Sequence, residues 1–296
     1  MPCALGLTAD LAQTRNPAVP DPRRHAPFAA PAYNVAERRR GALLARTLET
    51  EVIPRLVLAR RGAAAHAEVP GAECAVAAED VALLAGLVTH NDLPGGMAHL
   101  GVLRARGIPI ERLYLDLLAP VARRLGEMWE EDRCDFTTVT IGLCCLQQLV
   151  MEHSAAFRPR AAPRDLDRRV LLTPLPGEQH SFGLLMVGEF FRRQGWDVHS
   201  ATGAGARELA ALVRRQWFAM VGLSVSSDSR LEGLASIIRE LRRESRNRQL
   251  GVLVGGRVFS EQPELATLVG ADATAQDGQQ AVLKAETMLA LLGRED

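Results

Sequence analysis

The sequence predicts two folded parts in series, an all-α block followed by an α/β domain with a parallel sheet. Apolar residues repeat at helical spacing up to about residue 157, and from about residue 170 short apolar runs alternate with helical stretches. A charged segment with prolines, RPRAAPRDLDRR, lies between these two regions and marks the boundary. With 296 residues, 47% of them hydrophobic, the chain has enough apolar material for both cores.

Residues 1–76 are predicted to lie outside these two parts. Residues 1–35 are rich in Pro and Ala with scattered charge, which is typical of a disordered tail. Residues 36–76 are interpreted as an amphipathic helix, periodic from Val35 to Arg61, followed by a linker. Its apolar stripe suits a partner protein or packing on the bundle, and phosphate binding by Arg38, Arg39 and Arg40 is a third use.

Residues 77–160 are expected to form a four-helix bundle, because four apolar-faced segments follow one another with short Gly- or Asn-containing breaks. The predicted helices are Glu79–His90, Leu93–Arg106, Pro109–Asp132 and Asp135–Phe157. Asp135 is a candidate cap for the last helix, since its carboxylate can accept from unpaired first-turn amides.

Residues 168–296 are predicted to fold as a flavodoxin-like (Rossmann-type) domain with five parallel strands. The predicted strands are Val170–Thr173, Trp196–Ala201, Met220–Ser226, Gly251–Val254 and Ala271–Ala275. The predicted helices are Phe182–Gln194, Ala206–Trp217, Arg230–Arg243, Pro263–Val269 and Gln279–Leu292. Such sheets bind ligands beyond the carboxyl ends of their strands, where the first, third and fourth loops converge.

Composition excludes several classes of protein. Thirty-five Lys and Arg balance thirty-five Asp and Glu, so no overall field attracts nucleic acid, anionic lipid or acidic substrates, and any such contact must be local. Five cysteines without a Cys-x-x-Cys spacing indicate neither a disulfide framework nor a zinc site. No membrane span or targeting segment is apparent, which predicts a cytoplasmic protein with reduced thiols.

Three short elements fall at predicted strand ends. The first loop, TPLPGEQHSFG, carries Glu178, His180 and Gly183. The third loop supplies Ser224 and Ser226, and the fourth strand is followed by Gly255 and Gly256. A neutral imidazole can donate a lone pair to a metal, and a carboxylate that accepts from its other nitrogen fixes the tautomer.

This order is similar to the cobalamin-binding signature of corrinoid methyltransferases and mutases, Asp-x-His-x-x-Gly, Ser-x-Leu and Gly-Gly. The resemblance implies that His180 is the lower axial ligand to cobalt and that Glu178 accepts from its second nitrogen. It also implies a pocket for the nucleotide tail, with Gly183 beside the tail and Ser224 as a hydroxyl partner. Gly255 and Gly256 would leave room for the buried ring. Glu178 and Ser226 stand where the signature has Asp and Leu.

The helical block carries a second resemblance, in the stretch GEMWEEDRCDFTTVTIG. In related modules a helical cap covers the upper face of the corrin and often presents an aromatic residue at the position of Trp129. Phe136 follows, and both aromatic residues have the alternative of serving as bundle core. The Glu-His pair of light-sensing caps is replaced by Val139 and Thr140. Glu152 and His153 occur at a different spacing and are interpreted as a solvated face.

Together, GEQHSFG and MWEEDRCDFTTVTIGLCCLQQL resemble the aerobic photosynthesis regulators of purple bacteria, cobalamin-binding antirepressors of the AerR/PpaA family. The resemblance implies light-dependent binding of hydroxo- or adenosylcobalamin and control of photosynthesis genes through a repressor protein, with indirect contact to DNA. The sequence shows no catalytic constellation, so a binding protein is favoured over an enzyme. The alternatives are a corrinoid carrier for a methyltransferase and a heme-binding redox sensor.

Overall fold

The computed structural model describes residues 75–157 and 167–292. The predicted tail, the amphipathic helix and most of its linker lie outside the described residues, as does most of the charged segment between the two folded parts. Within the described residues, no helix is long and apolar enough to cross a membrane.

The helical block contains the predicted bundle. Its elements are α1 (Ala78–Thr89), α2 (Leu93–Ala105), α3 (Ile110–Arg112), a π-helical segment (Leu113–Leu118), α4 (Ala119–Glu130) and α5 (Phe136–Phe157). The third predicted helix is thus one run in which the π-helical segment joins α3 to α4. Asp135 caps α5 as expected, because the Thr138 amide donates to its carboxylate over 2.7 Å.

The structure corrects one sequence prediction in the bundle, which concerns His153 on α5. This side chain is buried, and its Nδ1 lies 2.9 Å from the carbonyl oxygen of Leu149. The solvated-face interpretation was therefore wrong for His153 and right for the exposed Glu152. His153 shares the helix face of the buried Leu149 and Phe157, four residues away on either side, and that face packs inward.

The α/β domain has the predicted five-stranded parallel sheet, so the predicted fold class is confirmed. Its strands are β1 (Arg169–Pro174), β2 (Asp197–Ser200), β3 (Met220–Ser224), β4 (Gly251–Gly255) and β5 (Ala273–Thr274). They are arranged in the order β2-β1-β3-β4-β5, and every pair is parallel. The order reverses between β1 and β3, which is where such sheets open a ligand crevice.

Helices cover both faces of this sheet. They are α6 (Phe182–Arg193), α7 (Ala206–Arg215), α8 (Leu231–Glu244), α9 (Arg257–Glu261), α10 (Leu265–Val269) and α11 (Gly278–Leu292). A 3-10 turn at Asp228–Arg230 precedes α8. The sequence did not predict α9, because five residues are too few to show a helical period.

The bundle and the sheet domain share one hydrophobic cluster. Tyr114 stacks on Phe157 with ring centroids 4.7 Å apart, and Phe190 of α6 meets Phe157 edge-on at 5.1 Å. Beside these rings, Ser154 Oγ donates to the buried carboxylate of Glu189 on α6 over 2.5 Å. Because α6 begins just after the first loop, this packing fixes the bundle relative to that loop.

Candidate cofactor-binding site

The first, third and fourth loops are joined by hydrogen bonds that continue the sheet ladder past the strand ends. The Leu175 amide donates to the carbonyl of Ser224 over 3.0 Å, and the Val225 amide donates to the carbonyl of Gly255 over 3.0 Å. The three sequence elements that are far apart along the chain therefore lie side by side at the carboxyl edge of β1, β3 and β4.

Glu178 and His180 form a directed pair on the first loop. The Nδ1 atom of His180 lies 2.5 Å from Glu178 Oε1, and the same oxygen accepts from the amides of Gln179 and His180. The Glu178 side chain is 4% exposed, whereas that of His180 is 74% exposed. No residue among 75–157 and 167–292 hydrogen-bonds to Nε2. If Nδ1 carries the proton, the Nε2 lone pair is directed outward and available to a metal.

Ser226 holds the other side of the same carboxylate. Its hydroxyl donates to Glu178 Oε2 over 2.5 Å and its amide donates to that oxygen over 3.0 Å. The longer side chain of Glu178 reaches both the third loop and His180, so the two departures from the usual signature are partners. Sequence reasoning assigned Ser226 only to the tail pocket, because nothing in one sequence shows a contact over 48 positions.

These contacts set the charge state of Glu178. Burial by itself would raise the pKa of this carboxyl group. Hydrogen bonds from the Ser226 hydroxyl, the His180 ring and the backbone amides of these two residues outweigh burial and lower the pKa from 4.5 to about 2. Glu178 is therefore ionised at neutral pH, which favours the imidazole tautomer with hydrogen on Nδ1.

The lowered pKa gives a pH-dependent prediction for Glu178→Gln. Ionised Glu178 stabilises the folded state fully above about pH 4.5, and this contribution is lost as the pH falls towards 2. We expect the variant to unfold with a free energy lower by about 1–3 kcal/mol at pH 7, since one acceptor oxygen is replaced by an NH₂ group that faces buried donors. Urea unfolding at pH 7, 5, 4 and 3 should show this difference shrinking below pH 4.5. A difference that is constant with pH would contradict the assignment.

The glycines of the signature occupy different surroundings. Gly256 has φ +108°, and a Cβ there would lie 2.1 Å from the carbonyl oxygen of Val225. Its missing side chain thus makes room for the third loop, whereas the sequence assigned that space to a bound ring. A Cβ on Gly183 would have no atom within 4 Å, and one on Gly255 would lie 3.4 Å from the carbonyl oxygen of Ala275. Gly183 is the glycine beside open space.

Alanine substitutions should separate these two roles. Gly256→Ala is expected to lower the free energy of unfolding by about 3 kcal/mol or more, because it combines a disfavoured φ with a backbone clash. Gly183→Ala lies in the first turn of α6 and should raise stability by about 0.5–1 kcal/mol, while weakening cobalamin binding. Urea unfolding and cobalamin retention, measured on both variants, check the pair. Normal cobalamin retention by Gly183→Ala would show that Gly183 does not line the cofactor pocket.

The cap approaches the site at the end of α4. Trp129 is 50% exposed and Phe136 is 68% exposed, so neither residue is bundle core. Next to Trp129, Glu130 Oε1 lies 3.6 Å from Arg257 Nη1, and Arg257 directly follows Gly256. This surface ion pair places the Trp129 end of the bundle beside the fourth loop. This contact could not be predicted from local sequence patterns, because it joins residues of the two folded parts.

The described residues fit a cobalamin better than a free metal ion. They contain no group of three or more His, Cys, Asp or Glu side chains that could hold a metal, so His180 would act as a single axial ligand. The Oγ1 atom of Thr274 is buried without a hydrogen-bond partner, and Thr274 pairs with Val254 just before Gly255. A polar group of a ligand in this crevice could satisfy that hydroxyl. His180 would hold the cobalt, while Gly183 offers space and Thr274 an unpartnered hydroxyl to the rest of the cofactor. Ser224 would be the hydroxyl partner that the signature implies.

A helical bundle packed on a flavodoxin-like domain, with an exposed histidine on the first loop, is the arrangement that the sequence signature predicts for a corrinoid-binding module. A family model described as the B12 binding domain matches residues 168–285. The chain is 30% identical over 174 residues to an uncharacterized 20.5 kDa protein in the bchF-crtJ intergenic region of Rhodobacter capsulatus, covering 59% of this chain and 90% of that protein. The chain belongs to the B12-binding domain family, and its cofactor is of the cobalamin type.

Corrinoid proteins are also similar to this chain. The dimethylamine corrinoid protein of Methanosarcina barkeri is 28% identical over 204 residues, which cover 69% of this chain and 83% of that protein. The structure of the Methanosarcina barkeri monomethylamine corrinoid protein superposes with a TM-score of 0.56 at 14% identity, covering 72% of this chain and 98% of that one. At this identity the superposition shows a shared fold.

Proposed function

We propose that this protein is a light-responsive cobalamin-binding regulator that controls photosynthesis genes as an antirepressor, by binding a repressor protein. The observation that carries the proposal is the carboxylate of Glu178, which joins the His180 ring to Ser226 on the third loop. A bound cobalamin would supply the light-sensitive cobalt chemistry on which this proposal relies. His180, oriented by Glu178, would hold the cobalt, and the Trp129 end of the bundle would cover the bound cofactor.

The regulatory role rests on two further considerations. The relative named for the bchF-crtJ intergenic region supports the gene context that the cap and loop motifs imply. The second consideration is the resemblance of the loop GEQHSFG and of the stretch around Trp129 to the cobalamin-binding antirepressors of purple bacteria. We therefore assign the protein to cofactor-dependent binding of a partner, with base recognition left to the repressor.

The test uses the full-length protein with the repressor whose gene lies nearest to its own. Apoprotein is mixed with hydroxocobalamin or adenosylcobalamin in light or darkness, and excess cofactor is removed. The repressor's affinity for its operator is then measured with each preparation. We expect the cobalamin-loaded, illuminated protein to weaken operator binding and the His180→Ala variant to leave it unchanged. Equal operator binding with all preparations would overturn the regulatory proposal.

A corrinoid carrier for a methyltransferase is the second candidate, favoured by the 28% identity to a dimethylamine corrinoid protein. A carrier would use the same His180 pocket but would exchange a methyl group with partner enzymes. Transfer of a labelled methyl group from the reduced, methylated protein to a thiol or corrinoid acceptor would support it. Failure of such transfer, with cobalamin retained, would favour the regulator.

The structure and the family disfavour the heme alternative, although an imidazole binds iron as readily as cobalt. The open space beside Gly183 and the unpartnered hydroxyl of Thr274 suit a nucleotide tail, which heme lacks. The absorption spectrum of protein from its native host separates the two cofactors. A Soret band that disappears in His180→Ala would favour heme, and a corrin spectrum would exclude it.

A further inference from the structure

Five exposed arginines form a continuous cluster on the α/β domain, here called the arginine patch. Its members are Arg214, Arg215, Arg243, Arg246 and Arg248. Ion pairs and hydrogen bonds connect them into one surface. Arg214 and Arg243 share the carboxylate of Glu244, at 3.5 Å and 3.1 Å, while Arg246 donates to the carbonyl of Arg215 over 3.2 Å and Arg248 to that of Arg243 over 3.4 Å.

The arginine patch lies at the amino edge of the sheet. Two of its members end α7, a third lies near the end of α8, and the last two belong to the loop that leads into β4. The candidate cofactor site lies at the carboxyl edge of the same strands. The five-residue strand β3 separates the two by roughly 15 Å or more. A partner on the patch would therefore leave the cofactor site accessible.

The charge of the patch exceeds what the fold needs. Cations near the ends of α7 and α8 stabilise the helix dipoles, and the contacts of Arg246 and Arg248 cap carbonyls of the last turns. Each guanidinium has five N–H donors, so one capping bond leaves others for an external anion. Five arginines surround one carboxylate, Glu244, which leaves a local charge of +4 on a chain that is neutral overall.

The composition of the patch indicates which anionic partner it fits. None of the exposed large hydrophobic side chains in the described residues lies in Arg214–Gln216 or in Arg243–Gln249. Protein partners usually need an apolar or aromatic centre at their interface, and no exposed large hydrophobic side chain lies among these residues. Phosphate groups need cationic and amide donors, and the exposed Gln216 adds an amide beside the arginines.

We propose that the arginine patch binds the phosphodiester backbone of a nucleic-acid duplex, without reading its bases. This goes beyond the proposed function, in which the repressor alone contacts DNA. A backbone contact would hold the protein beside its partner on the same duplex and would add affinity that depends on salt but not on sequence. An acidic protein surface is the competing partner and is an outcome of the test.

The test measures binding of the full-length protein to fluorescent DNA and RNA duplexes of random sequence between 50 and 200 mM salt. If four phosphates are contacted, as the patch charge of +4 suggests, affinity should fall about 100-fold over this range. For Arg243→Gln/Arg246→Gln/Arg248→Gln, which leaves a patch charge of +1, the fall should be about three- to fourfold. If the triple variant is unstable, Arg214→Gln/Arg215→Gln should independently reduce the salt dependence of duplex binding, because it removes no capping guanidinium. The DNA and RNA arms identify which duplex is preferred.

The matched control is Arg38→Gln/Arg39→Gln/Arg40→Gln, which removes the same charge from the rival basic segment. A reduced salt dependence in the patch variants, with the control at the wild-type value, supports the proposal. Wild-type binding by both patch variants, or a loss confined to the control, overturns it. The proposal is likewise overturned if no duplex binds at 50 mM salt. Binding of an acidic protein to the patch, without duplex binding, overturns it in the same way. Cobalamin retention by the patch variants should be unchanged, so failure here is separable from failure of the proposed function.

Discussion

Replacing His180 with alanine is expected to reduce cobalamin affinity by more than about 100-fold. Loss of a residue that only orients a metal ligand costs about 10–100-fold, and His180→Ala removes the ligand itself. The His180 side chain is 74% exposed, and within the described residues its ring is hydrogen-bonded only through Nδ1, so its removal should leave the fold intact. Apoprotein mixed with hydroxocobalamin and then desalted should keep a red corrinoid in wild type and lose it in the variant.

His90→Ala is the matched control for this experiment. His90 is an exposed histidine just after α1, and its Nδ1 contacts the carbonyl of Gly86. This control should retain cobalamin like wild type, with an unchanged spectrum. If His180→Ala and wild type retain the cofactor equally, the axial-ligand assignment is wrong and another residue must bind cobalt.

The second large effect is expected from restoring the usual signature in the carboxylate bridge. Glu178→Asp shortens the side chain that reaches both His180 and the third loop. Ser226→Leu removes the hydroxyl donor to the buried oxygen. Each change alone should weaken cobalamin binding by about 10-fold or more. The double variant should lose less than the product of the two, because together they restore the common Asp and Leu pair.

Cobalamin titration of the four proteins in this cycle gives the coupling energy between the two positions. We expect about 1 kcal/mol or more, as is usual for residues in one hydrogen-bond network. Ser229→Leu is the control, since Ser229 is an exposed serine of the same loop that contacts Ser227. Strictly multiplicative losses would show that Glu178 and Ser226 act independently.

Much of the fold could be predicted because its signals are local. Apolar periods of helix and strand are properties of short windows, and they placed the bundle and all five strands. The elements that escaped are those whose local signal is short or misleading. The helix α9 has five residues, and the π-helical segment Leu113–Leu118 has the same apolar pattern as the α-helices around it. His153 was misassigned because its face is decided by packing.

Some residues of the candidate site could also be predicted from the sequence, and others could not. The predicted residues Glu178, Ser224 and Gly255 lie at adjacent strand ends, since the order of elements along the chain fixes which loops meet. Their roles as cofactor ligands remain predictions for the experiments above. The sequence did not indicate Thr274, whose hydroxyl is recognisable only from its buried, unpartnered state, or the ion pair of Glu130 with Arg257.

The sequence by itself determined the parallel five-stranded architecture, the helical block before it, and a histidine with a nearby carboxylate on the first loop. The tertiary structure decided how that carboxylate is used, by bringing Ser226 to its second oxygen and Val225 against Gly256. It also gathered five arginines from two helices and a loop into one patch. The physical reason is the same in each case, because contacts between distant segments arise only when the sheet sets its loops side by side.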